Sequence, residues 1–556
     1  MTETTERRGG VVLFVLLCVA VALSFLPGQA GVPPIDRDEP RYTQATKQML
    51  ETGDFIRIRF QDGPRHKKPV GIHWLQAGAV TLVDGTPGAP LWVYRLPSLF
   101  GAMVALLGAI FAARAFLSWR LALTVGALFG ATIILGVEAR LAKTDAVLCA
   151  TIFFAQGALA RLWLAERRNP SMALLFWAAL GLGILVKGPI APMVCGLTLA
   201  ALALWRWRGL HRRLMPLIGV PLAAAICLPW YIAIYVVTDG AFFAAAVGVD
   251  FLGKATTGQE GHGAPPLTHI GFFAGVAWPL AGFVIAAAWR VWRRRADDAI
   301  VFALAWALPA WIVFELTPTK LPHYTLPMIP ALAMAACWTL AHETVPKALR
   351  ILAAIHIALA PVVILIAAPF VLGALADIGP QSAALIAEAP VGPAAALLAF
   401  AAVFTLSAGL LILRGWPFLS RAVVGMTVVG AVVAQTAVWG IALPALGPVW
   451  VSPRLVEAVG SVSPCPAPRL ASVGGFNEPS MIFLAGTDTA LATPEAAVAI
   501  AASQCTVIAV RARAVAAVEA AAAEAGLSLR KAGTVDGFNI SKGDPIVLTL
   551  YVRAEG

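Results

Sequence analysis

Asp38-Glu39-Pro40-Arg41 puts two carboxylates and a guanidinium within four positions, shortly after an apolar run at 11–27. Lys68, Arg95, the pair Lys143 and Asp145, Lys187, and Lys320 with His323 and Tyr324 follow farther along, most of them within a turn of the end of another apolar run. A carboxylate such as Asp38 suits a general base, with Asp145 as a second candidate. Arg41 and Lys68, with Lys143, Lys187 and Lys320 behind them, suit the stabilisation of charge growing on a phosphate, because fixed cations in a water-poor cavity act strongly. Glu39, Arg95, His323 and Tyr324 complete the candidate substrate-binding set. Each also has a plainer use. Asp38 and Glu39 can cap a helix and meet its dipole, Lys68 and Lys187 can snorkel to lipid head groups, and Asp145 can pair with Lys143 or Arg140.

The elements that must carry these residues follow from composition. Of 556 residues, 59% are hydrophobic and only 13% charged, with mean hydropathy +0.81. A soluble domain carries roughly 25% charge and 45–50% apolar residues, so an ordinary soluble enzyme is excluded, and disorder is excluded by the apolar excess. The seven cysteines show no CxxC, which argues against a zinc ribbon. There is no P-loop, no GxSxG and no GxGxxG opening a strand–turn–helix. The chain reads as a polytopic membrane protein.

About 20 apolar residues cross a ~30 Å hydrocarbon core. Thirteen runs qualify, near 11–27, 91–117, 120–137, 143–165, 171–187, 189–206, 214–237, 268–289, 299–316, 322–342, 348–373, 392–413 and 421–444. The pair at 171–206 also reads as one helix plus a re-entrant segment. The first run reads as an uncleaved anchor rather than a signal peptide, since its apolar stretch exceeds a usual signal core. Cations fall on alternate connections, from Arg7 and Arg8 to Arg414 and Arg421, 19 of them in seven short segments. Cations are held inside, so the N-terminus is cytoplasmic and the loop 28–90 and everything after about 445 lie outside. This distribution explains the net charge of +11 without nucleic acid. Eight cations nevertheless sit in the outer loop 28–90, and the other candidate residues also fall on the outer side. A charge near a span centre costs about 2.5–3.5 kcal/mol, so several converging at span ends suggest a cavity that handles an anion.

Within that loop, residues 39–52 predict a helix on the membrane surface, started by Asp38 or Glu39 and Pro40 and closed by Gly53. Tyr42, Ala45, Met49 and Leu50 form its apolar stripe, with Arg41, Gln44, Lys47 and Gln48 elsewhere. A second segment, 70–83, is too short to span and also reads as lying flat. Residues 446–556 alternate β-rich runs (Leu470–Val473, Thr506–Val510, Ile546–Val552) with Ala-rich helical stretches, a small outer α/β domain. Its two cysteines, Cys465 and Cys505, are either a disulfide or two thiols. The expected fold is thus an all-α polytopic membrane protein of about 13 transmembrane helices, residues 1–445, with a small C-terminal α/β extracytoplasmic domain, 446–556.

In this arrangement the residues resemble a known family, the lipid-sugar-dependent glycosyltransferases of family 39, of the multi-spanning GT-C type. These include the bacterial lipid A aminoarabinose transferases and, more distantly, the protein O-mannosyltransferases. The resemblance runs along about residues 10–445. It rests on Asp38-Glu39-Pro40-Arg41-Tyr42 with Gly53-Asp54, Lys68-Pro69 with Trp74, Arg95-Leu96-Pro97-Ser98, Lys143-Thr144-Asp145-Ala146, Lys187-Gly188-Pro189 and Lys320-Leu321-Pro322-His323-Tyr324 with Pro327. Each motif alone is weak; six in order, all on the outer face deduced from charge, are specific.

The resemblance implies an inverting transferase that takes a sugar from a polyprenyl-phosphate carrier to a lipid or glycolipid acceptor, lipid A or lipopolysaccharide core, at the outer face of a bacterial inner membrane, as a monomer. It implies that Asp38 is the acidic residue of the first outer loop that serves in catalysis, that Arg41 and Lys68 hold the donor phosphate, and that Asp145, Lys187 and Tyr324 line the cavity. The sequence departs from the aminoarabinose pattern before Lys68, where relatives have an acidic residue and this chain has Arg65-His66-Lys67. That acid joins a metal site in relatives, so zinc is in doubt here although His262 stands at a plausible partner position. No cofactor is required by the chemistry. The extra cations suggest a different sugar or acceptor, an acidic one included. A protein hydroxyl acceptor is one alternative. Transport of lipid-linked sugars is another, but it predicts charges near the bilayer midplane and internal repeats, and neither is visible.

Overall fold

The computed structural model describes residues 3–206, 208–246, 248, 253 and 263–554, with side chains from residue 11 onward. The chain is a multi-pass membrane protein. Among the described residues, nine helices are long and apolar enough to cross a membrane, from Leu91–Ala113 to Arg421–Ala442, and three shorter apolar helices join them, Val11–Leu23, Trp119–Gly130 and Ile190–Arg206. The pair at 171–206 is two helices, Pro170–Lys187 and Ile190–Arg206, parted at Gly188.

Two of the expected runs are broken helices instead of single rods. The run at 120–137 divides into Trp119–Gly130 and Ile133–Glu138, and that at 268–289 into Thr268–Val276 and Leu280–Val291. Pro279 removes a backbone donor at the second break. Polar backbone freed in an apolar interior must find partners. Here the two breaks serve each other, with Ile133 N donating to Trp278 O at 3.1 Å. Gln435 Nε2 donates to Ala131 O at 2.9 Å. The long core around them is built from Ala, Leu, Phe and Trp side chains, with Trp163, Trp306 and Phe153 fully buried.

The loop after the first helix folds into a helix Asp38–Thr52, a two-strand hairpin of β1 (Arg59–Phe60) and β2 (Gly63–Pro64), and a helix Gly71–Val83. Gly53 closes the first helix in the left-handed region, φ 70°, as its position predicts. The start differs from expectation, because Arg37 is the N-cap and no side chain caps the end. The Glu39 carboxylate is taken by other donors, described below. Tyr42, Ala45 and Met49 are buried as the stripe requires, but Gln44 and Gln48 are buried as well. Gln44 meets the C-terminal domain, its Nε2 donating to Thr487 Oγ1 at 2.7 Å, and Gln48 meets the hairpin, its Nε2 donating to Gln61 O at 2.9 Å. Thr46 ties the helix to its neighbour through Gln76 Oε1, at 2.7 Å, and His73 Nδ1, at 2.8 Å. At Gly71 a Cβ would fall 2.7 Å from Leu185 O, so only glycine lets Lys68-Pro69 run beside the end of the Lys187 helix.

The C-terminal segment is a five-stranded sheet of β3 (Arg469–Val473), β4 (Ala490–Ala492), β5 (Thr506–Arg511), β6 (Leu529–Asn539) and β7 (Asp544–Arg553), in the order β4-β3-β5-β7-β6. The first three are parallel and the closing hairpin is antiparallel. Helices Val451–Val462 and Pro479–Ala485 close one apolar core, and Pro494–Ser503 with Val515–Glu524 close the other. Cys465 and Cys505 form a disulfide. The domain is bolted to the loop, with Ser480 donating its N–H and hydroxyl to Asp36 at 2.9 and 2.6 Å.

Candidate active site

One cavity of about 1130 Å³ gathers residues from seven separate stretches of the chain. Its walls include Asp38, Glu39 and Arg41 from the start of the first loop helix, Lys68 beyond the hairpin, Lys143 and Asp145 at the head of one span, Lys187 at the end of another, and His323 and Tyr324 from the 3₁₀ turn Pro322–Met328. Nine of the eleven residues singled out by sequence thus share one space. Arg95 and Lys320 are not on the wall. Arg95 is fully buried behind it, and Lys320 donates its ammonium to Glu315 O at 2.7 Å and to Thr317 O, pinning the turn before His323. His262 lies outside the described residues.

Glu39 faces the cavity but is committed. Arg95 donates Nε and Nη2 to its two oxygens at 2.7 and 2.8 Å, and Ala142 N and Ile35 N donate at 2.9 and 3.0 Å. Arg95 also reaches Gln29 O and Val32 O, both at 2.7 Å. One buried pair therefore fixes the loop that carries Asp38 and the turn that carries Lys143.

Asp145 is the hub of the inner wall. Lys187 Nζ sits 2.5 Å from Oδ1, His323 Nε2 3.8 Å from the same atom, and Lys143 Nζ 3.9 Å from Oδ2. Lys143 is held more tightly by Glu138, at 2.9 Å. Sequence reading missed Glu138; the available signal was an acid just past an apolar run and five residues before a lysine. Burial opposes charge on Lys143, but Glu138, Asp145 and Asp38 together raise its pKa and keep it an ammonium. Asp38 itself stands open to the cavity. Burial pushes its carboxyl up, yet Lys143, Arg65, His323 and Arg41 outweigh that and hold it below the usual carboxylate value. It is a carboxylate facing Lys143, Arg65 and Arg41.

Asp36, Arg37 and Arg65 also line the cavity and were not singled out as site residues. Arg65 lies over the Tyr42 ring, 5.1 Å from its centroid. Burial lifts the Tyr42 phenol to about 12, so it stays protonated. Arg37 Nη2 donates to Ser541 O at 2.7 Å, which brings Ile540 and Ser541 of the C-terminal hairpin onto the wall. The rest of the lining is apolar, with Leu148, Ile190, Met193, Tyr231, Phe242, Phe243 and Phe314 among it. Charged groups and a greasy flank in one space suit an amphiphile with an anionic head.

Among the described residues no three His, Cys, Asp or Glu side chains are grouped to hold a metal. The segment 65–67 offers two cations and His66, whose ring packs edge-on against Phe242 at 5.6 Å. The donor set does not fit a metal site, and no step is routed through one.

Fold and cavity together define a multi-spanning membrane protein with a charged pocket beside an α/β domain, and known proteins share its fold. The sequence profile of the dolichyl-phosphate-mannose-protein mannosyltransferase family matches residues 67–232. The undecaprenyl phosphate-alpha-4-amino-4-deoxy-L-arabinose arabinosyl transferase of Pseudomonas aeruginosa (strain LESB58) is 26% identical over 327 residues, 57% of this chain and 58% of that protein. Its counterpart in Erwinia tasmaniensis is 26% identical over 350 residues, 60% and 61% of the two chains. The match thus spans less than two thirds of these relatives. The crystal structure of ArnT from Cupriavidus metallidurans bound to undecaprenyl phosphate superposes with a TM-score of 0.76 at 19% identity, covering 97% of this chain and 98% of the other. The fold is that of ArnT across nearly the whole chain. The Archaeoglobus fulgidus oligosaccharyltransferase is a more distant neighbour, TM-score 0.51 at 13% identity, covering 87% of this chain and 65% of that one.

Proposed function

We propose that this protein is an inverting glycosyltransferase that moves a sugar from a polyprenyl-phosphate carrier to an acceptor in the outer leaflet of a bacterial inner membrane, lipid A or lipopolysaccharide core. The observation that carries the reading is the carboxylate of Asp38 facing Lys143, Arg41 and His323 inside one cavity that also has apolar walls. A hydroxyl of the acceptor attacks the anomeric carbon and gives its proton to Asp38. The sugar–phosphate bond breaks, and the bonding pair leaves on the carrier phosphate. Arg41, Lys68, Lys143 and Lys187 balance the charge gained there. Asp145 is a positioning residue, since its oxygens hold Lys187 and Lys143 in the cavity. The apolar flank receives the first isoprene units.

The site and the C-terminal domain face the periplasm. The alternation of cations along the chain supports this orientation, as does the Cys465–Cys505 disulfide, which needs an oxidising compartment. The match of residues 67–232 to a protein mannosyltransferase profile favours a second reading, in which the acceptor is a hydroxyl of an exported protein. Mass spectrometry of lipid A and of periplasmic proteins from cells with and without the gene separates the two. Loss of a lipid A glycoform supports the first reading, loss of a protein glycoform the second, and no change in either refutes transfer.

A further inference from the structure

Asp38 is held from two sides by different parts of the fold. The residue after it, Glu39, is gripped by Arg95 of the membrane domain. The two residues before it, Asp36 and Arg37, both meet the C-terminal domain. Ser480 donates its N–H and hydroxyl to Asp36, and Arg37 Nη2 donates to Ser541 O at 2.7 Å. Ser480 lies at the head of the helix Pro479–Ala485, whereas Ser541 lies in the turn between β6 and β7. Turns are the more mobile parts of a domain, so a turn carbonyl is a firm anchor only where something fixes the turn.

Glu478 supplies that fixing. It stands just before Pro479-Ser480, and its Oε1 accepts from Asn539 Nδ2 at 3.0 Å and from the Ser541 hydroxyl. Asn539 Oδ1 in turn accepts the Ser541 and Lys542 N–H groups at 3.0 and 3.2 Å, a side chain that closes its own turn. Glu478 and Asn539 are both buried, each 4% exposed. One buried carboxylate therefore joins the two anchors and keeps their spacing, and the stretch Asp36–Arg37 is strung between them. As packing alone the arrangement is poor, because Glu478 repels the Asp36 carboxyl. Arg37, Ile540 and Ser541 line the cavity, but Glu478 does not.

We infer that Glu478 is a positioning residue for sugar transfer: through the Asn539–Ser541 turn and Arg37 it sets the approach of Asp38 to the acceptor hydroxyl. Holding that approach is the task of the C-terminal domain at the site. The inference rests on the glycosyltransferase reading above. A general base works at a heavy-atom distance of about 2.6–3.2 Å from the group it deprotonates. A misplacement of about 1 Å caused by a remote change lowers rates on the order of 100-fold.

The test compares Glu478→Gln with Glu478→Ala in the full chain in lipid nanodiscs. Both lose the charge, but glutamine keeps an acceptor oxygen for Asn539 and Ser541. Binding of undecaprenyl phosphate is measured first. Transfer to lipid A follows, from undecaprenyl-phosphate donors bearing a 4-aminopentose, a neutral hexose or a hexuronic acid, whichever the wild type uses best. Glu478→Ala is expected to lower kcat about 10- to 100-fold with KM and carrier binding unchanged, and Glu478→Gln to stay near wild type. In Glu478→Ala the acid limb of the pH–rate profile is expected to move to higher pH. An Asp38 drawn away from Lys143, Arg65, His323 and Arg41 loses what holds its pKa down. Loss of the Glu478 charge by itself moves that limb the other way, and Glu478→Gln measures that contribution. Arg37→Met breaks the same chain of contacts, so its loss and that of Glu478→Ala are expected not to add. If Glu478→Ala fails to fold, Asn539→Ala cuts the link one step farther along and carries the same expectations. Wild-type kcat in Glu478→Ala overturns the inference and leaves transferase activity standing. So do equal losses in the alanine and glutamine variants, full additivity with Arg37→Met, or a fall in kcat that comes with lost carrier binding and an unmoved acid limb. A wild type that neither binds the carrier nor transfers removes the transferase reading, and this inference with it.

Discussion

Arg95 grips both oxygens of Glu39 from behind the cavity wall, and each side chain is only 1% exposed. The pair touches no solvent, yet it sets two cavity residues at once, because Asp38 precedes Glu39 and Lys143 follows the Ala142 amide that Glu39 also binds. Breaking a buried pair on one side leaves an uncompensated charge, a cost of about 3–5 kcal/mol. Arg95→Met is therefore expected to lower the unfolding midpoint strongly. Glu39→Gln, which keeps one acceptor, is expected to fold but to lose kcat more than KM, through displacement of Asp38. Thermal unfolding in detergent and steady-state transfer kinetics read the two effects.

Asp38→Asn removes the proposed proton acceptor while retaining size. Transfer is expected to fall by about 10²- to 10⁴-fold, with unfolding midpoint and carrier binding preserved, since no hydrogen-bond ladder is lost. Because the cations around it hold its pKa below the usual carboxylate value, wild-type activity is expected to persist to lower pH than an ordinary aspartate base would allow. A pH–rate profile whose acid limb lies well above the carboxylate range would exclude Asp38 as that base.

Asp145 and Lys187 form a second buried pair, 2.5 Å apart. Lys187→Met alone leaves Asp145 with Lys143 and His323, whereas Asp145→Ala leaves two ammonium groups facing each other across the gap. The aspartate change is expected to be the more destabilising, by about 3–5 kcal/mol, and the double change Asp145→Ala with Lys187→Met is expected to recover part of that loss. A double-mutant cycle on unfolding midpoints measures the coupling.

Docking of the C-terminal domain is expected to weaken as pH rises. Burial lifts the Asp36 carboxyl from its ordinary 3.8 to about 7, with Glu478 and Glu39 adding repulsion and the Ser480 hydrogen bonds opposing. The docked state therefore holds a proton that an undocked, solvated Asp36 releases. Stability from docking is full below about pH 4, declines between there and 7, and is flat above. Hydrogen exchange of the segment around Ser480 at pH 5 and pH 8 reads this, and Asp36→Asn is expected to flatten the dependence.

The disulfide closes a loop with a sequence separation of 40. On the chain-entropy account its removal by Cys465→Ser with Cys505→Ser costs about 3–4 kcal/mol. Proteolysis of the C-terminal domain under increasing denaturant is expected to begin earlier in the double variant, and reduction of the wild type should mimic it.

Much of this molecule is legible in one dimension. Apolar runs of membrane length, alternating cations, and the motif order around Asp38, Lys68, Lys143, Asp145, Lys187 and Tyr324 depend on local composition, which any chain displays without folding. The helix Asp38–Thr52 and its glycine stop are equally local. Partner choice is not. Arg95 and Lys320 looked like ligand residues because a cation near a span end has two outlets, a cavity or a neighbouring carbonyl, and only the packed helices decide between them. Glu138 reads as an ordinary helix-end acid until Lys143 folds back on it. The two broken spans hold because their freed backbone groups meet, at Ile133 and Trp278, across about 145 positions of chain. Sequence alone marked which segments are apolar enough to enter the membrane and on which side the site is proposed to lie, since both readings follow from transfer free energy residue by residue. Tertiary structure alone decided which charges face the cavity and which hold its wall, since a buried charge is defined by its partner, and these partners are remote in the chain.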